Sequence, residues 1–201
     1  MRRLILILVT LALAAACSNS SGPSGPPPRA TVNVVLQDST YKPLLSDTAS
    51  FYAKVGEGRR VRLVYQGSTP TDSGAEFLRF EVPNDGLYLK PDGTPFGAND
   101  SILITVKVLD PKKFLFDFQP AGLQFNPNDP ARLKAEYQYA DHDFNGDGVI
   151  DSTDADIEAI LDLWRREPPD TSWTKVGAVK FESLQELDAN VFSFTQYAVA
   201  W

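Results

Sequence analysis

Asp143, Asn145, Asp147, Asp151 and Asp154 place five oxygen-bearing side chains in a stretch of twelve residues, at positions 1, 3, 5, 9 and 12, with Gly148 at position 6. Donors of that kind and density suit a hard divalent cation. Calcium takes roughly six to eight oxygens at about 2.3–2.6 Å. A chain wrapped round one ion turns alternate side chains inward, so positions 1, 3 and 5 are expected to converge. Gly148 permits the tight turn that a side chain would obstruct. Val149 at position 7 offers only its backbone carbonyl, Asp151 binds directly or through water, and Asp154 closes the shell, with one carboxylate oxygen or both. Ile150 at position 8 is expected to point away from the ion into the core. A register starting at Asp141 fits worse, because it puts Gly148 at position 8 and Ser152 at position 12. The plainer alternative is an acidic solvated turn, since Asp, Asn and Gly are ordinary loop residues. Four carboxylates this close repel one another unless a cation compensates. Magnesium, which holds to octahedral geometry and keeps waters, suits the pattern less well than calcium.

The flanking residues say what carries the loop. Ile157, Ile160, Leu161 and Trp164 fall at i, i+3, i+4 and i+7, the spacing of one face of a short helix. Asp154, Asp156 and Glu158 stand near its start and Arg165 and Arg166 near its end, matching the helix dipole, and Pro168-Pro169 stops it. Before the loop, Leu133, Ala135, Tyr137 and Tyr139 alternate with polar residues and predict a strand. The unit is therefore a loop and one helix on the end of a strand. The spacing is that of an EF-hand calcium loop with Asp in place of the usual closing Glu. With its single following helix it resembles a dockerin repeat over residues 143–166, Ser152-Thr153 standing where dockerins often carry their cohesin-contacting pair. Dockerins use two such repeats and this chain has one, so the resemblance extends to the ion site and not to cohesin binding.

Residues 1–16 hold Arg2-Arg3, a short apolar run and small residues before Cys17, the pattern of a secretory signal peptide too short to be read as a spanning helix. The stretch Leu13-Ala14-Ala15-Ala16-Cys17 resembles a bacterial lipobox, with Ala at the third residue before the Cys. That resemblance implies a lipidated Cys17 at the head of the mature chain, an acylated N-terminus and membrane anchoring through more than one acyl chain. An ordinary secreted protein with a stray Cys is the alternative. Cys17 is the only cysteine, so no internal disulfide forms. Ser18 after it would favour the outer membrane of a Gram-negative cell; the localisation expected is the cell envelope, its type left open. Residues 17–29, rich in Ser, Gly and Pro, are the lipidated Cys and a tether.

Residues 30–201 have the length of one domain, enough to bury about 70% of the unfolded surface. Loss of Arg2 and Arg3 takes the formal charge from −7 to −9. An acidic exterior without a basic patch argues against nucleic acid as a partner. Alternation recurs at Val32, Val34 and Leu36; at Phe51, Ala53 and Val55; at Val61, Leu63 and Tyr65; at Leu78, Phe80 and Val82; along Ile102, Ile104, Val106 and Val108; and at Phe114, Phe116 and Phe118. Further strands are expected over 175–181 and 191–201, and loops over 38–47 and 67–76. Many short strands between Gly/Pro/Asn turns predict an all-β fold, a β-sandwich with one short inserted calcium loop-helix. Phe114, Phe116, Phe118, Trp173 and Trp201 are expected to pack, and His142 to flank the loop without ligating.

Phe80-Glu81-Val82-Pro83-Asn84-Asp85-Gly86-Leu87, then Phe118-Gln119-Pro120-Ala121-Gly122-Leu123-Gln124-Phe125 leading into Pro130-Ala131-Arg132-Leu133, then Phe194-Thr195-Gln196-Tyr197-Ala198-Val199 resemble the early strand, centre and closing strand of the ZU-five domain. The likeness spans residues 77–201, with about 141–170 inserted between two strands. It implies a β-sandwich used as an interaction module. Some members cut themselves at His-Phe-Ser in the last strand. Ser193-Phe194-Thr195 stands there in this chain, without the His that would activate the hydroxyl, so no self-cleavage is expected. No Ser-His-Asp set or phosphate-cradling glycine loop is recognisable either, and the protein is not expected to be an enzyme. The reading is a lipid-anchored, calcium-binding module for an unknown protein or envelope component. A structural spacer is the alternative, and a calcium-dependent hydrolase of envelope sugars a more distant one.

Overall fold

Alternation of the kind at 102–118 buries one side of each strand, and two such sheets can then share a core. The computed structural model, which describes residues 26–67, 74–167 and 170–201, has this antiparallel arrangement. Its strands are β1 (Thr48–Lys54), β2 (Arg59–Val64), β3 (Glu76–Val82), β4 (Leu87–Leu89), β5 (Ser101–Val108), β6 (Leu115–Gln119), β7 (Gln124–Phe125), β8 (Ala131–Glu136), β9 (Asp162–Arg166), β10 (Thr174–Lys175), β11 (Val179–Phe181), β12 (Glu186–Val191) and β13 (Gln196–Ala200). One helix, α1 (Ser152–Ile160), lies between β8 and β9. One sheet runs β1-β5-β6-β13-β9-β10, the other β11-β12-β8-β3-β2, and β4 pairs with β7. The signal, Cys17, most of the tether and Pro168-Pro169 lie outside the described residues. No helix among the described residues is long and apolar enough to cross a membrane.

The core between the sheets is largely phenylalanine. Phe77 and Phe80 of β3 meet Phe114, Phe116 and Phe118 from the opposite sheet, with ring centroids 4.9 Å apart for Phe77–Phe114 and 5.1 Å for Phe80–Phe118. Phe194 and Phe125 close one end at 5.0 Å from each other. All these rings are buried. Truncating any one of them to Ala would cost about 3–5 kcal/mol. The outer side of the second sheet carries charge: Lys134 of β8 lies 2.7 Å from Glu186 and 2.8 Å from Glu136. Its edge strand β2 exposes Arg59, Arg60 and Arg62.

Three expectations are corrected. The helix does not continue to Trp164. It ends at Ile160, and Leu161, with ψ 140°, turns the chain into β9, an interior strand of the six-stranded sheet hydrogen-bonded to β13. Leu163 enters the main core while Trp164 packs on the other side against Trp173, Ala198 and Ala200. Both faces of β9 are covered, so its apolar residues lose the two-residue period and mimic helical spacing. Residues 162–166 therefore belong to the sheet, and the excursion between strands is shorter than the expected 141–170. Ile150 does not enter the core; it is 70% exposed. The segment at 32–36 faces the reverse way: Val35 is fully buried and Leu36 exposed. It lies between β13 and the start of β6, with Val35 N donating to Val199 O at 2.9 Å and Phe114 N to Val35 O at 3.0 Å. Val32 and Val34 cover the outer Trp164 cluster, so here too both sides are apolar.

Asp162 fastens the start of β9. Its Oδ1 accepts the amides of Leu163 at 2.7 Å, Ala178 at 2.8 Å and Gly177 at 3.2 Å, and Lys175 Nζ lies 3.4 Å from Oδ2. The carboxylate is buried, so removing it strands several donors. Asp162→Ala is expected to lower unfolding stability by about 2–4 kcal/mol, read from urea melts. A loss within a few tenths would mean the 176–178 turn holds without it.

Candidate metal centre

Both ends of the loop are tied to the sandwich. Ahead of it, Ala140 N donates to Tyr137 O and Asp141 N to Leu36 O, each at 2.9 Å. Phe144, inside the loop, is buried. It meets the His142 ring edge-on at 5.5 Å and Trp201 at 6.1 Å. His142 thus packs beside the loop. Behind it, α1 opens with a capping box: Asp151 accepts from Thr153 N at 2.7 Å, and Asp154 accepts from Asp151 N at 3.0 Å. Lys180 of β11 donates its ammonium to Glu158 O near the last turn of α1, favourable to the helix dipole.

Within the loop the side-chain oxygens organise the backbone. Asp143 Oδ1 accepts from Gly146 N at 2.9 Å and Asp147 N at 3.1 Å, and its Oδ2 from Gly148 N at 2.7 Å. Asn145 Oδ1 accepts from Asp147 N at 2.8 Å, and Asp147 Oδ1 from Val149 N at 2.9 Å. The Asn145 amide donates to Asp147 Oδ2 at 3.0 Å. Asp154 joins the two halves, because its other oxygen accepts from Asn145 N at 3.1 Å, nine residues away. It is also the one buried residue of the six expected ligands. Gly148 has φ +88°, which an L side chain rarely adopts, though a Cβ there would meet nothing within 4 Å. The glycine is required by backbone conformation and not by space.

The donor set suits a hard ion. Asp143, Asn145, Asp147, Asp151 and Asp154 supply side-chain oxygens and Val149 a carbonyl, with no nitrogen or sulfur among them. An ionised carboxylate has about four lone-pair sites. One accepting a backbone amide therefore keeps capacity for a cation. Among the described residues, no three or more His, Cys, Asp or Glu side chains are drawn together closely enough to hold a metal as they stand. The spacing made the loop legible, but the sequence reading missed what lies against it. Phe144, Trp201 and the Leu36 carbonyl are brought there by sheet pairing, which leaves no local signal.

The Ser193-Phe194-Thr195 triplet sits elsewhere. Phe194 and Thr195 are buried, and the Thr195 hydroxyl donates to Arg166 O, a carbonyl that cannot take its proton. Ser193 Oγ donates to Glu167 at 2.9 Å, with Arg165 Nη1 3.1 Å from the same carboxylate.

No protein-family model matches the chain, and no curated protein or solved structure matches it either.

The amide of Asp151 foremost, with those of Asn145 and Phe144, holds the Asp154 carboxyl below its ordinary range, against the opposing effect of burial. A carboxyl depressed in the folded state stabilises above its unfolded pKa, and that stability is lost as pH falls through the folded value. A carbon-detected NMR titration of Asp154 should give a midpoint below the usual value of about 3.9. A midpoint at or above it would mean that the amides do not hold the group.

Proposed function

We propose that this protein is a lipid-anchored envelope protein whose β-sandwich, resembling a ZU-five domain, presents an EF-hand-like calcium loop as part of an interaction module. The observation that carries the reading is the arrangement at Asp143 and Asp154. Two carboxylates at opposite ends of the loop accept its inward backbone amides, and Asp154 ties the halves together. The amides already turn the loop backbone, so that taking up an ion requires only the side-chain carboxylates to draw together on it. Asp143, Asn145, Asp147, Val149 (through its carbonyl), Asp151 and Asp154 are the ligands, and Ca²⁺ is the ion their oxygen chemistry fits. Calcium neutralises the carboxylates and stiffens the excursion between β8 and β9. Anchoring through Cys17 and the tether of residues 17–29 keeps the domain near the membrane.

The module works by binding and not by catalysis. Thr195 bonded to a carbonyl supports that reading, as it leaves the hydroxyl without a base. Intact-mass measurement of the purified protein should give one species; a pair of fragments meeting near Phe194 would overturn it.

Calcium at about a hundred times its dissociation constant should add about 2.7 kcal/mol of stability, seen as a rise in Tm. Replacing Asp143 and Asp147 together by Ala should abolish that rise. A double variant that still responds to calcium as the natural chain does would retire the loop as the ion site.

A further inference from the structure

β1 is a margin of the six-stranded sheet, and its pairing with β5 decides which way its backbone points. Val55 N donates to Asp100 O at 3.1 Å and Val108 N to Asp47 O at 2.8 Å, so the odd-numbered residues from 47 to 55 turn their amides and carbonyls to β5. The even-numbered residues turn theirs outward. Toward both ends that outward row is already engaged. Ser46 Oγ donates to Thr48 O at 2.7 Å and accepts from Thr48 N at 3.2 Å, and Lys54 O accepts from Glu57 N at 3.1 Å. Between them the amide and carbonyl of Ser50 and of Tyr52, with the Lys54 amide at one end, have no partner among the described residues. The other margins are protected. β2 carries three arginines, β11 is only three residues long, and Trp173 beside β10 exchanges amide bonds with Arg29 at 2.7 and 2.8 Å. β1 has seven residues, and its one charge, Lys54, is paired with Glu57 at 2.6 Å.

We propose that β1 joins β1 of a second copy of this chain, antiparallel, about a two-fold axis at Phe51. It does not rest on the calcium loop or on the anchor. In that register Ser50 of one copy faces Tyr52 of the other, each giving and taking an amide bond, and the axis repeats the pair. The open groups at Ser50 and Tyr52 of the two copies then satisfy one another. That is possible because the opening is centred on one residue, the condition for a strand to pair with itself. The side chains agree with the backbone. On the outer face Tyr52 stands beside Leu103 of β5, and the two are 64% and 46% exposed. The seam sets the two Tyr52 positions at the diagonal spacing, about 7–8 Å, within reach of aromatic rings. Leu103 and Tyr52 of both copies then form one apolar stripe. On the inner face the half-buried Phe51, already packed on the core, meets its counterpart at the axis. No like charges oppose each other, since Lys54 lies across from Thr48. A foreign peptide added as a strand is selected through pockets for its alternate side chains. β1 lines none of the clefts of about 340–630 Å³ found among the described residues. A flat margin without pockets suits another of its own kind.

Such a seam is small, below about 1,200 Å² in all, so the pairing is weak and needs concentration. In sedimentation equilibrium up to about 1 mM, the weight-average mass should climb toward twice that of the monomer. Tyr52→Lys puts a cation on each side of the axis, and Ser50→Pro removes an outward amide while leaving the bonds to β5. Each should weaken association at least about tenfold. The register is read separately. Ser50→Cys and Tyr52→Cys chains, mixed in equal amounts and gently oxidised, should link 50 to 52 between copies, where the Cα atoms lie about 5.5 Å apart. Links of 50 to 50 or 52 to 52 would span about 7–8 Å, beyond ready bridging. Mass spectrometry of the linked peptides identifies the bond and sets aside any made through Cys17. A chain that stays monomeric throughout overturns the proposal. So does association that Tyr52→Lys leaves unchanged, or preferential linkage of like cysteines. Should Ser50→Pro fail to fold, Tyr52→Lys, at an exposed position, decides alone.

Discussion

Everything at the loop end of this molecule hangs on β9 finding its place beside β13. An excursion of 25 residues, 137–161, leaves the five-stranded sheet after β8 and must return to the other sheet. Its return is fixed by five paired positions, from Asp162↔Ala200 to Arg166↔Gln196, and by the burial of Leu163 on one side and Trp164 on the other. Burying two large apolar side chains contributes several kcal/mol, about 1.5–3 for each. That is enough to hold both ends of a loop whose own interactions are exposed hydrogen bonds. The Asp162 carboxylate completes the seam by taking the amides of the following turn.

Given fixed ends, the loop's shape follows from short-range chemistry. Asp and Asn accept amides two or three residues on, a habit of these side chains that competes with regular structure. Here that habit is used at Asp143, Asn145, Asp147 and Asp151 in succession. Asp154 differs, because it is buried and reaches back nine residues to Asn145. Removing any one of the others would loosen one turn; removing Asp154 would release the helix start and the loop together.

The legible parts of the sequence were those whose physics is local or one-sided. Ile104, Val106 and Val108, and then Phe114, Phe116 and Phe118, alternate because one face meets the core and the other does not, and the structure buries all six. The loop at 143–151 could be read as a loop because Asp, Asn and Gly crowd there. Residues 161–166 and 32–36 misled for a common reason: apolar neighbours lie on both sides of each, so the alternation that marks a strand is erased. At Leu161 and Trp164 the surviving pattern imitates a helix. Ile150 was expected inside because loop position 8 often packs; in this chain the excursion swings it into solvent. The walls around the loop could not be read at all. Val34, Leu36 and Trp201 arrive there from distant parts of the chain by pairing, and such long-range register leaves no trace in local composition.

The five-stranded sheet ends in β2, whose far end is covered where Leu45 N donates to Val64 O at 2.9 Å, while Arg59, Arg60 and Arg62 stand exposed along the rest. A strand at a sheet margin offers unpaired amides and carbonyls to any passing chain, and crowding like-charged guanidinium groups there makes the approach of a second identical margin unfavourable. Copies of this molecule packed side by side are thereby kept from zippering into a continuous ribbon, whatever else brings them together.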